Sequence, residues 1–542
     1  MTLRSRLSPV GSMHAKGDRS RIDHLAARLR RGPDLQFLAK AGEVDQLAAL
    51  GRSVAAAAPP STGPSVLVLA LRYMPDHLAY ETVMAHALRM RGARVTLLNC
   101  GGGMPICEVG FAARAWPRPC DRCAAHTDRT VAGSTLDQLR LADNLPWGGD
   151  GRRAPAAGDP DPAALALASI SIPWFLRAAD PTSVPDAAPA TEAFQVAVQG
   201  VAEAAERILD QVQPEIVVML NGLFAAERTM REVALARDIR VVTYEISPRG
   251  GHLVFSQGIP APEYDTTDLW LEVRDRPLTA AQESALDAQL LGRATGATAH
   301  ETYFDAPRES LDELDLPPDT RVISLFTNMS WDSACIDHDV AYPSMLDWMA
   351  DAVRAVDAVD DAVLVIRVHP AEDRWGTRER AYDGLVARIG DMPSNVRFVG
   401  PNQALSSYAL AQASDLVLTY TTTVGLEAAA CGVPVAVAGA THYRGRGFTH
   451  DLLGHDDLVR VVRSVRAPLT DEERDLARRY AFAFFFRAML PLPPVQTAKG
   501  HVVSLPGDAS EIAAGADPHV DWIIDRILDG GPFPLPEELA VR

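Results

Sequence analysis

The chain has 542 residues, with 52 Lys and Arg against 70 Asp and Glu and a formal net charge of -18. It is too long for one ordinary core and too acidic to have a nucleic-acid backbone as its main partner, although one local basic pocket suffices for a small anion. Hydrophobic residues at 47% and charged residues at 23% describe a folded chain, not a disordered one.

Residues 1–60 carry ten Lys or Arg against five Asp or Glu. This basic N-terminal extension reads either as a solvated, partly helical arm or as a contact with an anionic membrane surface. No apolar run reaches the roughly 18 residues of a membrane span, and the start lacks a signal-peptide core. The expected location is cytoplasmic, with peripheral contact at the cytoplasmic membrane face.

The segment SVLVLAL (65–71) reads as a strand, 78–91 as an amphipathic helix stopped by Gly92, and RVTLLN (94–99) as the next strand. Strand, helix and strand at this spacing form a βαβ unit with a parallel pair. Cys100, Cys107, Cys120 and Cys123 follow, with His126 three residues on. In a reducing compartment Cys107, Cys120, Cys123 and His126 are candidate ligands for zinc or an iron–sulfur cluster, set against the alternative of packed, reduced thiols. GGGMP (101–105) lacks the dinucleotide-binding spacing, and no P-loop is present.

Residues 149–192, rich in Ala, Pro, Gly and Asp, read as an insertion broken by the apolar patch ISIPWFL. A helix over 192–212 leads to EIVVMLNG (215–222), a further helix and RVVTYEIS (240–247), leaving Asn221 and Glu245 at polar strand ends. Residues 276–316 turn helical and charged, and LDLPP reads as a linker. RVISLFTN (321–328) opens a second α/β series without internal repeat, and a helical segment near 471–490 precedes a proline-rich tail able to cross back to the first half.

The densest chemistry lies in VLVIRVHPAE (363–372) and DLVLTYTTTVGLEAAACGVPVAVAG (415–439). Each is a near-continuous apolar strand ending in polar residues, as expected of a parallel sheet covered on both faces. His369 then sits at a strand's carboxyl end, where open α/β sheets bind ligands. Tyr420, Thr421, Thr422, Thr423 and Gly425 present hydroxyls and N–H groups toward an anion at the next helix, and Glu427 follows in its first turns.

With these residues in view, the chain resembles capsule and surface polysaccharide biosynthesis proteins of the GT-B glycosyltransferase type. The carrying segments are LFTNMSWDSA, PSMLDWMADAVR, VLVIRVHPAE, the Tyr420 to Pro434 unit and HYRGRGFTHDL, together roughly residues 320–455, with a looser match in LNGLFAAER and VVTYEISPRGG. The resemblance implies an α/β fold of two Rossmann-like domains in tandem. Expected divisions are 1–60 (extension), 61–275 (acceptor domain with the 149–192 insertion), 276–316 (linker helix), 317–470 (donor domain) and 471–542 (C-terminal helical segment and tail). It implies donor-site positions at Asn328, Trp331, Asp332, Arg367, His369, Tyr420, Thr421, Thr422, Thr423, Gly425 and Glu427. Arg367 or His369 would meet the leaving phosphate, and Glu427 would accept ribose hydroxyls. The general base is left open among Glu245, Glu227 and Asp332, so the catalytic set is Glu245, Asp332 and His369.

The implied activity is glycosyl transfer from a nucleotide-activated sugar to a hydroxyl of a glycan or lipid-linked acceptor, with no obligatory cofactor. The alternatives are a polyol-phosphate transferase of teichoic-acid type, a sugar-nucleotide epimerase, and a non-catalytic subunit of a polysaccharide assembly.

Overall fold

A computed structural model describes residues 41–72, 75–109, 120–185 and 187–541. Most of the basic extension, residues 1–40, lies outside the described residues. Its remainder is helix α1 (Ala41–Ala57), which buries Val44, Leu47, Leu50 and Val54 in the first core.

That core belongs to a sheet that begins with β1 (Ser65–Ala70), α2 (Pro75–Met90) and β2 (Arg94–Asn99), the β strands parallel and in register from Ser65 opposite Arg94. β3 (Asp137–Arg140) extends the edge beside β2. Helix α3 (Ala187–Val212) then leads to β4 (Ile216–Leu220), α4 (Ala225–Leu235), β5 (Arg240–Ile246) and the antiparallel β6 (His252–Gln257). Every residue of β1 and β4 is buried, because helices cover both faces; alternate residues feed the two opposing cores. The segment read as an insertion folds into two short helices, Pro162–Leu167 and Ser171–Leu176, the first capped by Asp161.

Helix α5 (Ala280–Ala294), opened by a Thr279–Gln282 capping box, lies between the two α/β halves. The second sheet is wholly parallel, in the order β12-β11-β10-β7-β8-β9. It comprises β7 (Arg321–Phe326), α6 (Met345–Asp357), β8 (Ala362–Arg367), β9 (Val396–Val399), β10 (Leu416–Thr419), α7 (Val424–Ala430), β11 (Val435–Val437) and the two-residue β12 (His450–Asp451). The chain is thus α/β with two Rossmann-like sheets, as the resemblance implied.

The C-terminal segment returns. Helix α8 (Asp471–Phe482), capped by Thr470, packs on α7 and α5, then loosens into a buried π-helical turn over Ala483–Ala488. β13 (Leu490–Pro491) next joins the first sheet, Leu490 opposite Leu253, and α9 (Pro518–Asp529) places Val520, Ile523, Ile524 and Ile527 in the first core. The first lobe is therefore assembled from both ends of the described chain.

Candidate active site

The carboxyl ends of β5, β7, β8 and β10 meet at a cleft of about 500 Å³ between the lobes. Its walls are Ile246–Pro248 after β5, residues 293–307 of the linker, and Thr327, Asp332, Arg367, His369, Ser406–Tyr408 and Thr422–Val424 of the second lobe.

His369 is fixed from two sides. Its backbone N–H donates to the Thr327 hydroxyl at 3.0 Å, and the Ala371 N–H donates to Nδ1 at 3.2 Å, which leaves the imidazole proton on Nε2. Burial, reinforced by the Arg367 charge, pushes its pKa down to about 4. The ring is therefore a neutral hydrogen-bond donor at neutral pH, not a cation. That decides between the two residues expected to meet a phosphate charge: only Arg367 brings a positive one.

Arg367, 2% exposed, closes β8. Its Nη1 donates to the Gly400 carbonyl at 2.8 Å and its Nε to the Ser407 hydroxyl at 3.4 Å, while Nη2 has no partner among the described residues. Burial lowers its pKa to about 10, so the cation persists at neutral pH, and both of its hydrogen-bonding partners are uncharged. A buried guanidinium left in this state is costly unless an anion completes it.

Two carboxyl groups lie in or beside the cleft. Asp332, in the turn after β7, accepts the Ala334 N–H at 2.9 Å; burial raises its pKa, and the Ala334 bond and the Arg177 charge pull it back. Glu245, at the end of β5, accepts from Ile246 N at 2.8 Å and Asn221 Nδ2 at 3.2 Å. Burial pushes its pKa up to about 7, with the Asp332 charge adding to the rise. Glu245 stands immediately behind the Ile246–Pro248 wall. The third base candidate, Glu227, is ion-paired to Arg72 in a buried group that includes Glu108, and that pairing removes it from the site.

The other expected donor residues divide. Thr422 and Thr423 line the cleft. Asn328 lies behind it and accepts the Thr421 N–H on Oδ1 at 3.3 Å. Trp331 is packed away, its Nε1 donating to the Thr377 hydroxyl at 2.9 Å, and Tyr420 is bonded to Asp339 with its ring against Trp348. The Gly425 N–H turns inward to the Thr422 carbonyl, and the absent side chain leaves room for the Tyr443 hydroxyl. Helix α7 has seven residues and no side-chain cap at Thr423.

Glu427, 3% exposed, is engaged by Arg293 Nε at 2.6 Å and approached by the Tyr408 hydroxyl at 3.4 Å, leaving Oε2 without a partner among the described residues. Arg293 also donates to the Pro248 carbonyl at 2.8 Å and so ties both lobes to α5. Sequence reasoning treated residues 276–316 as a linker and missed Arg293, His300 and Tyr303 there, and it also missed Tyr408 in the second lobe; all four line the cleft. The available signal was HETYF (300–304), aromatic and charged residues clustered in a stretch with no periodicity.

The expected metal centre is corrected. Among the described residues no group of three His, Cys, Asp or Glu side chains is placed to hold a metal ion. Cys100 and Cys107 pack against the core on one face of the first sheet and Cys123 against the core on the other. Burial pushes the Cys107 thiol up to about 12, as in a packed, reduced thiol.

Residues 301–467 match the family described as capsule polysaccharide biosynthesis protein, so the resemblance is borne out over that stretch. No curated protein matches significantly. Among solved structures, the chain is similar to the KpsC β-Kdo 2,7 transferase of Thermosulfurimonas dismutans, at 15% identity over 60% of this chain and 88% of that one, TM-score 0.32. It is similar also to the UDP-GlcNAc 2-epimerase of Neisseria meningitidis bound to UDP-GlcNAc, at 10% identity over 86% and 99%, TM-score 0.30. A third is CalG4, the calicheamicin glycosyltransferase, at 16% identity over 78% and 94%, TM-score 0.27. These likenesses are remote, and the functional argument rests on the residues of the cleft.

Proposed function

We propose that this chain, whose second lobe carries the capsule polysaccharide biosynthesis match, is a glycosyltransferase moving a sugar from a nucleotide-activated donor to a hydroxyl of a glycan or lipid-linked acceptor. The observation that carries this is Arg367: a buried cation in a cleft wall, bonded only to neutral groups, with Nη2 unpartnered among the described residues. A donor phosphate supplies the missing anion. His369 Nε2–H and the hydroxyls of Thr422 and Thr423 add neutral donors around it.

In the transfer the acceptor oxygen bonds to the anomeric carbon while the bond from that carbon to the phosphate oxygen breaks, its electron pair leaving with the nucleotide. Arg367 and His369 lower the barrier by meeting charge that grows on the departing oxygen, which works because both are fixed beforehand. The acceptor proton goes to Asp332, which lines the cleft and has the Arg177 charge to favour its ionised form. Burial raises the pKa of Glu245 as well, to about 7, and no cation is among its main influences, whereas the Arg177 charge opposes the rise at Asp332. Glu427 does not itself line the cleft; it fixes Arg293, which does. Among the described residues no helix is long and apolar enough to cross a membrane, and we place the protein at the cytoplasmic membrane face, where lipid-linked acceptors are met.

Thermal-shift measurements against UDP-, GDP-, CMP- and CDP-linked sugars test the reading, since a ligand held only by the folded state raises its melting temperature. The expected result is a shift with one nucleotide class, followed by acceptor-dependent release of the free nucleotide. Phosphate retained on the product would mean polyol-phosphate transfer, and turnover without acceptor an epimerase. Silence with every nucleotide would remove the donor site.

A further inference from the structure

The segment 169–179, part of the apparent insertion in the first lobe, reaches across to the second. Its helix Ser171–Leu176 ends on Arg177, which adopts the left-handed conformation at φ 60, a position where glycine is the unstrained choice. An arginine kept there, and only 1% exposed, points to a use for its side chain. The guanidinium carbon lies 3.8 Å from the centre of the Trp174 ring and 4.0 Å from that of Trp331, with Trp375 at 5.5 Å. Trp174 is from the first lobe and the other two from the second, so one cation is held by rings from both. The backbone repeats the connection: Arg378 N–H donates to the Arg177 carbonyl at 2.8 Å, and Glu379 Oε2 accepts from Ala179 N at 3.0 Å and from the Ser330 hydroxyl at 2.9 Å. Trp331 immediately precedes Asp332 in the chain.

We infer that Arg177 is a positioning residue for Asp332: the corner formed by the perpendicular Trp174 and Trp331 rings, in which the guanidinium sits, seats the loop that presents this carboxylate to the cleft, and the trapped guanidinium supplies its counter-charge. Burial lowers the Arg177 pKa to about 9 and the Asp332 charge opposes that fall, as the Arg177 charge opposes the rise that burial imposes on Asp332. The other titratable groups near this carboxyl are His338 on its own loop, Cys335 beneath it, Glu245 and Tyr264 from the first lobe, and Tyr303 from the linker. Arg293 pairs with Glu427, whereas it is the Arg177 charge that acts on Asp332. This inference rests on the reading of Asp332 as the base, and it concerns how that base is held.

The test uses full-length protein. Tryptophan fluorescence is titrated against pH in the wild type, Asp332→Asn, Arg177→Met, Arg177→Lys and Trp174→Leu, alongside the pH profile of transfer. The transition that Asp332→Asn abolishes is expected to move up by about one pH unit in Arg177→Met, as a carboxylate loses an adjacent cation. It should stay near the wild-type position in Arg177→Lys, and the acid limb of kcat/KM should move in parallel. Trp174→Leu, which keeps the charge but removes one wall of the corner that holds it, should give a smaller shift in the same direction and keeps the question answerable if Arg177→Met does not fold. An unmoved transition in both Arg177→Met and Trp174→Leu, with activity lower by the same factor at every pH, would overturn the inference. A moved transition without turnover of any nucleotide sugar would uphold the pairing and defeat the glycosyltransferase reading instead.

Discussion

His369 and Arg367 sit two residues apart on the same strand end and divide the work by charge. Replacing His369 with Ala removes one fixed donor, and kcat is expected to fall about 100- to 1000-fold with the melting temperature little changed. Arg367→Met should cost more and appear in donor affinity as well, read by calorimetric titration with the nucleotide product. The pH profile has a definite sign. Because His369 is already neutral above about pH 4, no activity should be lost to imidazole deprotonation as pH rises through the ordinary histidine range. Activity should instead rise with pH as Asp332 ionises, with a midpoint above that of an ordinary aspartate, since burial raises its pKa. A bell with its alkaline limb near pH 6.5 that vanishes in His369→Gln would contradict this. These residues were legible in the sequence because each follows an apolar strand and must emerge at its end. Trp331 and Tyr420 have the same sequence credentials, yet lie beneath the site, and only side-chain direction, which spacing alone does not give, separates the two groups.

At the scale of elements, strands buried on both faces were readable as apolar runs, as in β1, β4, β8 and β10. β3 was not: DQLR forms an edge with three of its four residues exposed, and its position comes only from pairing with β2. The linker was harder still, since nothing in a capped, charged helix announces that its last turn carries Arg293 into the cleft. That helix gives a sharp expectation. Glu427→Gln strands Arg293 as an unpaired buried cation and should cost about 3–5 kcal/mol in urea unfolding. The double change Arg293→Met with Glu427→Leu should recover much of that stability, measured in the same titration, while donor use stays impaired. Recovery of full activity by the apolar pair would remove the Arg293–Glu427 unit from the site.

For the whole molecule, the contribution least visible in sequence is the return of the C-terminal segment, whose partners lie hundreds of residues away: Leu490 beside Leu253, and Ile523 and Ile524 in a core with Val66 and Val83. Ile523→Ala should therefore destabilise by about 2–5 kcal/mol despite standing near the chain's end, with loss of first-lobe structure visible in hydrogen exchange at β1 and β2. Protection unchanged there would mean that α9 is an appendage.

The same return has a topological corollary. The chain crosses between the halves twice, through residues 276–316 and again through the π-helical turn at Ala483–Ala488. A cut within 276–316 therefore yields a C-terminal fragment that contributes to both halves, since β13 and α9 still belong to the first.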